Sequence, residues 1–254
     1  MWRSGKLDPA AVQRLKEARE RFGLTPLVIH GNYLVNLAAA DAAVRQKSIA
    51  AFRDEVNRAL TLGAEYLVIH PGSHRGQTLK RAMKTLGASV AKAVRGIRWN
   101  HLELLLENTA GGGASIGRDF SELAELRDMI QNKTSLPIGF CVDTAHSYEA
   151  GFDVSTPDGL DKTLRLIDET IGIEAVRVIH ANDSKTALGS NADRHEHIGK
   201  GKIGREAFRR MLHHPKLRGK PFILETPQDE GSGHRRNVRV LKTLLRRPPG
   251  SGGN

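Results

Sequence analysis

The sequence predicts an α/β fold of repeated strand–helix units on a parallel sheet, and three observations carry that prediction. Short, near-continuous apolar runs alternate with amphipathic stretches of helical period along almost the whole chain. Buried parallel strands joined by helices read this way. Six successive apolar runs end on an acid or an imidazole, at His30, His70, Glu107, Asp143, His180 and Glu225, about one strand–helix unit apart. The chain has 254 residues, and α/β barrels run to roughly 250 residues undivided.

Each element has its own signals. Asp8 caps a first helix, Pro9 takes its first position, Val12, Leu15 and Ala18 recur at helical spacing, and Gly23 stops it. LVIH (27–30) is a strand and leads into the loop GNYLVNLAAA. A helix over about Asp41–Leu62 sets Val44, Ile49, Phe52, Val56 and Ala59 on one face, with Gly63 as its stop. YLVIH (66–70) passes through PGSHRG to a helix around Leu79–Val94, and LELLLE (102–107) through NTAGGGASIG to a helix around Phe120–Ile130. IGFCVD (138–143) leads through a loop, TAHSYEAGFD, to the cap-and-proline pair Thr156-Pro157 and a helix ending near Ile171. VRVIH (176–180) leads through a long polar loop to a helix near Arg205–Leu212. FILE (222–225) leads through TPQDEGSGH to a last helix, about Arg236–Leu245. Nothing interrupts this series, so residues 1–246 are read as one domain and 247–254 as a disordered tail.

Composition narrows the class. A hydrophobic content of 39% with 26% charged residues is that of an ordinary globular protein. No apolar run approaches the ~20 residues that span a bilayer, and MWRSGKLDPA lacks the apolar segment of a secretory signal. The one cysteine, Cys141, excludes an internal disulfide and reads as a buried, inert thiol in a reducing compartment. The expectation is a cytoplasmic protein without a membrane partner. Lys and Arg number 39 against 28 Asp and Glu, a net charge of +11, which suits a polyanionic partner once phosphate chemistry is indicated independently.

That indication comes from the strand ends. In a parallel sheet the C-terminal ends of the strands share one face, where barrel enzymes build their sites. A charged or imidazole group ending an apolar strand is partly buried and needs a partner or a metal. One such residue is explained by a hydrogen bond to a neighbouring loop; six in register are not. Two loops add ligand types, His146 three residues after Asp143, and Asp193 and His195 on either side of Arg194. The candidate metal ligands are thus His30, His70, Glu107, Asp143, His146, His180, Asp193, His195 and Glu225. A structural zinc takes four protein ligands and a catalytic one about three, so this set fits two or three ions. Its imidazole content favours zinc or manganese over magnesium. Clustered ions and a basic surface point to phosphoester hydrolysis, in which two ions activate water and clamp the phosphate while a third neutralises the leaving oxygen.

The segments HGNYLVNL, HPGSH, ENTAGGG, VDTAHSYEAGFD, HANDS, ADRHEHIGKGKIG and ILETP, in this order, closely resemble the endonuclease IV family of zinc-dependent apurinic/apyrimidinic endonucleases. The match extends from about Trp2 to Leu245. The resemblance implies a TIM-type (β/α)8 barrel that incises DNA on the 5′ side of abasic sites, leaves a 3′-hydroxyl, and cleans blocked 3′ ends in base excision repair. It implies three zinc ions per chain, with manganese admissible at one. His30, His70 and Glu107 would hold the first; Glu107 would bridge to a second, completed by Asp143, His180 and Glu225; His146, Asp193 and His195 would hold the third. Glu107 and Glu225 are the candidate catalytic carboxylates. Tyr33 and Leu34 match residues that wedge into DNA beside a flipped-out nucleotide, where unstacking is cheapest because the base is missing. Packing of that loop onto the next helix is the plainer alternative. Arg194, Lys200 and Lys202, with Lys185, are candidate phosphate contacts. The implied partner is duplex DNA carrying abasic or 3′-blocked lesions, bound by a monomer.

His74 and His197 are read as supports for the ligands, while His101, His213, His214 and His234 receive no role. The glycines of ENTAGGG and IGKGKIG are read as turn formers. One departure from the family stands at the start, where members have two further strands before a Trp-containing loop. About six of eight βα units are therefore expected, and Met1 is read as an internal methionine of a longer protein. Two rivals are weighed. A sugar isomerase or epimerase on a similar barrel also gathers such residues, but around one or two metals, and the third ligand set and the +11 charge argue against it. A non-catalytic DNA-binding remnant would bind duplex in a salt-sensitive way without incision.

Overall fold

The structure, a computed structural model, describes residues 5–228 and 233–246. The expectations for Met1, for Trp2 and for a tail over 247–254 lie outside those residues. Among the described residues, those up to Glu107 together with Ala114–Cys141 form one compact unit, and Asn108–Gly113 with those from Val142 onward form another.

The first unit opens with helix α1 (Pro9–Phe22), whose cap Asp8 accepts from the Ala10 and Ala11 amides and whose end turns left-handed at Gly23. Helix α2 (Ala42–Leu62) repeats the device with Asp41 and Gly63. Helices α3 (Leu79–Ala93) and α4 (Phe120–Gln131) follow strands β2 (Tyr66–Ile69) and β3 (Glu103–Glu107). With β1 (Val28–His30) and β4 (Ile138–Asp143) these strands pair in parallel, in the order β1-β2-β3-β4. Leu104, Leu105 and Leu106 are wholly buried, as befits a strand covered on both faces. The helix faces differ from expectation in two places. Ile49, Phe52, Val56 and Ala59 are buried, but Val44 is 38% exposed, because it lies in the first turn of α2, two residues past the start. In α1 only Val12 is buried, and Leu15 remains 37% exposed.

Strand β4 passes from one unit into the other: Ile138–Cys141 belong to the first and Val142 with Asp143 to the second. In the second unit β5 (Val176–His180) and β8 (Phe222–Ile223) pair in parallel, the sheet order there being β4-β5-β8. Helices α6 (Pro157–Thr170), α7 (Arg205–His213) and α8 (Gly233–Leu245) stand where sequence placed helices, α6 capped by Thr156.

Three features correct the sequence reading. The segment expected to be a loop after Asp143 begins with helix α5 (Thr144–Ala150), capped by the Asp143 side chain on the His146 amide and ended by Gly151. All seven of its residues are buried, so no amphipathic period advertised it. The long polar loop contains a two-stranded antiparallel ribbon, β6 (Asp183–Ser184) with β7 (His195–Glu196), pairing Ser184 with His195. Strand β8 stops at Ile223 because the Glu225 amide leaves the ladder to bond the Asn182 side chain at 2.8 Å.

Candidate metal centre

Six strand runs were expected to end on ligands. His30, Glu107, Asp143 and His180 are the last residues of their strands, while His70 lies one residue and Glu225 two residues beyond. In the first unit the Glu107 carboxylate is wholly buried. Its Oε2 lies 2.9 Å from His30 Nε2 and 3.7 Å from His70 Nε2, and the two imidazole centroids are 5.2 Å apart.

The second unit holds the other six. Asp143, His146 and His195 present ligand atoms all within 4.8 Å of one another, as do Asp143, His180 and Glu225. Asp193 Oδ1 lies 3.4 Å from His146 Nε2 and 3.6 Å from His195 Nε2. Donor atoms about 2.1 Å from a tetrahedral ion stand roughly 3.4 Å from one another, so these separations suit a shared metal. His180 Nδ1 lies 3.1 Å from Glu225 Oε2.

Three of the five imidazoles are oriented in a common way. Nδ1 of His30 donates to the Gly31 carbonyl (2.8 Å), that of His146 to the Asn108 carbonyl (3.0 Å), and that of His195 to the Glu225 carbonyl (3.2 Å). A carbonyl only accepts, so each Nδ1 carries a hydrogen and each Nε2 is turned toward a carboxylate, His30 Nε2 within hydrogen-bond distance of Glu107 Oε2 at 2.9 Å and those of His146 and His195 at 3.4 Å or more from theirs. Metal-binding histidines are fixed in this manner. His195 Nε2 is buried and has no hydrogen-bond partner. A buried ring nitrogen left so among carboxylates is costly, and a cation held between them would satisfy it. The donor set, of imidazoles with a minority of carboxylates, fits zinc or manganese.

Residues that sequence reasoning missed hold these ligands in place. Asn182, wholly buried, donates to Asp143 Oδ2 at 2.5 Å and accepts from the Glu225 amide at 2.8 Å. The Asn108 side chain accepts from the Asp143 amide at 2.7 Å, while its backbone carbonyl receives His146. Asp183, also wholly buried, accepts from the amides of Ser184, Gly199, Gly201, Ile203 and Gly204 and so shapes the turn of IGKGKIG. Gly201 is required there: a Cβ would stand 2.3 Å from the Ser184 carbonyl oxygen. The only sequence signal for these residues is their place, within three positions of a strand-end residue of ligand type.

Tyr33 projects into solvent, 86% exposed, while Leu34 is half-buried and its amide bonds the Asn32 side chain. Their loop is tied down by Glu55 of α2, which accepts from the Asn32 amide at 3.0 Å. Burial pushes the Glu55 carboxyl up. Arg194, Lys200, Lys202 and Lys185 are exposed. The supporting histidines do local work: His74 Nδ1 donates to the Gln77 carbonyl, and His197 Nδ1 accepts from Asn237 of α8.

Parallel strand–helix units whose strand ends carry such clusters define a class of metal-site barrel proteins. Residues 2–244 match the family model described as the xylose isomerase-like TIM barrel, as the barrel expectation required. A D-tagatose 3-epimerase-like protein of known structure, 21% identical, superposes with a TM-score of 0.67 over 93% of this chain and 84% of its own, and shares the fold alone. Within that class the similarity is specific. A protein of Solibacter usitatus named "Probable endonuclease 4" is 53% identical over 244 residues, 96% of this chain and 84% of its own. Endonuclease IV of Thermus thermophilus, known from its crystal structure, is 40% identical with a TM-score of 0.83, over 96% of this chain and 85% of its own. The chain belongs to the endonuclease IV family, and with it to the AP endonucleases, hydrolases of DNA repair.

Proposed function

We propose that this protein hydrolyses the phosphodiester on the 5′ side of abasic sites in duplex DNA, leaving a 3′-hydroxyl, and that it also trims blocked 3′ ends, acting as a monomer with three zinc ions. The observation that carries the reading is the buried, unpartnered Nε2 of His195 beside Asp143 and Asp193. Its surroundings suit a cation, and its ligand set is one that a one- or two-metal sugar epimerase does not need.

His30, His70 and Glu107 are assigned to one ion; Asp143, His180 and Glu225, with Glu107 as the bridge that the family resemblance implies, to a second; His146, Asp193 and His195 to the third. Bound there, the ions supply Lewis acidity and neutralise charge on a phosphodiester. The chain's own contribution is orientation. The Nδ1–H bonds of His30, His146 and His195 turn each Nε2 toward its site, and Asn182 and Asn108 hold Asp143 and the Glu225 backbone. Tyr33, 86% exposed on a loop anchored by Glu55, is assigned with Leu34 to the wedge beside the extruded nucleotide, and Arg194, Lys200 and Lys202 to phosphates.

The test is incision of a duplex carrying a single abasic site, with and without chelator, and with the cut mapped. A nick 5′ to the site with a 3′-hydroxyl end, lost on chelation and regained with zinc, is expected. Chelator-resistant cutting, or a cut on the 3′ side, would overturn the proposal.

A further inference from the structure

We infer that Glu149, a residue outside the ligand set, is a positioning residue for the third metal site: it ties the loop bearing Asp193 and His195 to the helix bearing His146. The inference rests on the metal-site reading above.

The geometry is specific. Helix α5 presents His146 and, one turn later, Glu149, which is wholly buried. One oxygen of Glu149, Oε1, accepts three bonds from the ribbon and loop opposite: Ser184 Oγ at 2.6 Å, Thr186 Oγ1 at 3.2 Å and the Arg194 amide at 3.2 Å. Arg194 stands between the two loop ligands, so anchoring its amide fixes the backbone on both sides, at Asp193 and at His195. The helix end adds two more ties, the Asn191 amide to the Glu149 carbonyl (2.8 Å) and the Gly189 amide to the Tyr148 carbonyl (3.0 Å). Ser184 also pairs with His195 across the ribbon, so the shortest of the three side-chain bonds ends on the strand partner of a ligand.

The other oxygen, Oε2, is buried without a hydrogen-bond partner. A half-satisfied buried carboxylate costs stability, and a neutral clasp would avoid that cost. A negative charge one helical turn from His146 is compensated when a cation occupies the adjacent site. Supports of metal ligands alter affinity by about 10–100-fold when removed, and the exposed Asp193, 63% accessible at its side chain, leaves this site the most dependent on a fixed loop.

The experiment titrates zinc against a competing chelator and counts bound ions by elemental analysis in the unaltered protein, in Glu149→Ala, in Glu149→Gln, in His195→Ala and in the double variant Glu149→Ala/His195→Ala. His195→Ala marks the third ion by its loss. Glu149→Ala is expected to weaken that same ion by about 10–100-fold while the remaining ions stay at their original affinity. Glu149→Gln, which keeps an acceptor oxygen, should restore most of the effect, and the double variant should lose no more than His195→Ala alone. If Glu149→Ala does not fold, Ser184→Ala, which removes the shortest bond, should weaken the same ion to a smaller degree. Third-ion affinity unchanged in Glu149→Ala, or weakening spread equally over all ions, would overturn the assignment of Glu149 alone. Identical ion counts in the unaltered protein and His195→Ala would instead overturn the third site itself.

Discussion

Asn182 makes two bonds, one to the Asp143 carboxylate and one from the Glu225 amide, and so sets two ligands with one buried amide. Replacing it by alanine would leave the Asp143 oxygen without its donor and free the backbone before Glu225. Asn182→Ala is expected to lower zinc affinity by about 10–100-fold with the fold retained, as read by chelator competition beside circular dichroism. Asparagines of this kind were not legible in the sequence. The candidate ligands stand out there, because an acid or imidazole at the end of an apolar run is a local signal. Asn108 and Asn182 earn their roles from partners up to 43 residues away, and nothing in one-dimensional spacing identifies such a partner.

At the scale of elements, most helices were legible because their ends are local chemistry. Asp8 and Asp41 accept from the first-turn amides, and Gly23 and Gly63 take left-handed conformations that side chains other than glycine resist. Helix α5 was not legible: fully buried, it has no polar face to mark its period. The ribbon of β6 and β7, two residues in each strand, is too short to leave an alternation. The docking of α1 brings a pH dependence of its own. Burial would raise the Glu65 carboxyl, but the Leu27 amide and the Arg19 guanidinium of α1 bond it and hold it below the usual carboxylate range. A depressed folded pKa gives stability that is present above the unfolded value, about 4.3, and is lost as pH falls through the folded one. Thermal melting from pH 6 down to about pH 3 should therefore fall less steeply in Glu65→Gln than in the unaltered protein.

At the scale of the molecule, the sequence announced a basic protein but not where its charge would count. No described helix is long and apolar enough to cross a membrane, and the net charge of +11 is directed by the proposed function toward DNA phosphates. Each phosphate neutralised by a lysine or arginine contributes about −0.9 to the slope of log affinity against log salt. Lys200→Gln and Lys202→Gln are each expected to reduce that slope by about 1 on intact and abasic duplex alike. Slopes equal to that of the unaltered protein would remove these lysines from the interface.

The turn that Asp183 gathers bears on how such binding would be driven. Five amides converge on one buried carboxylate, so the segment that bears Lys200 and Lys202 is ordered before any partner arrives. The backbone entropy of that turn is surrendered during folding, and the encounter itself need immobilise only the lysine side chains. Calorimetrically, a contact made by this surface should resemble the docking of a preformed die rather than the folding of a loop around its target, with counterion release as its main entropic gain.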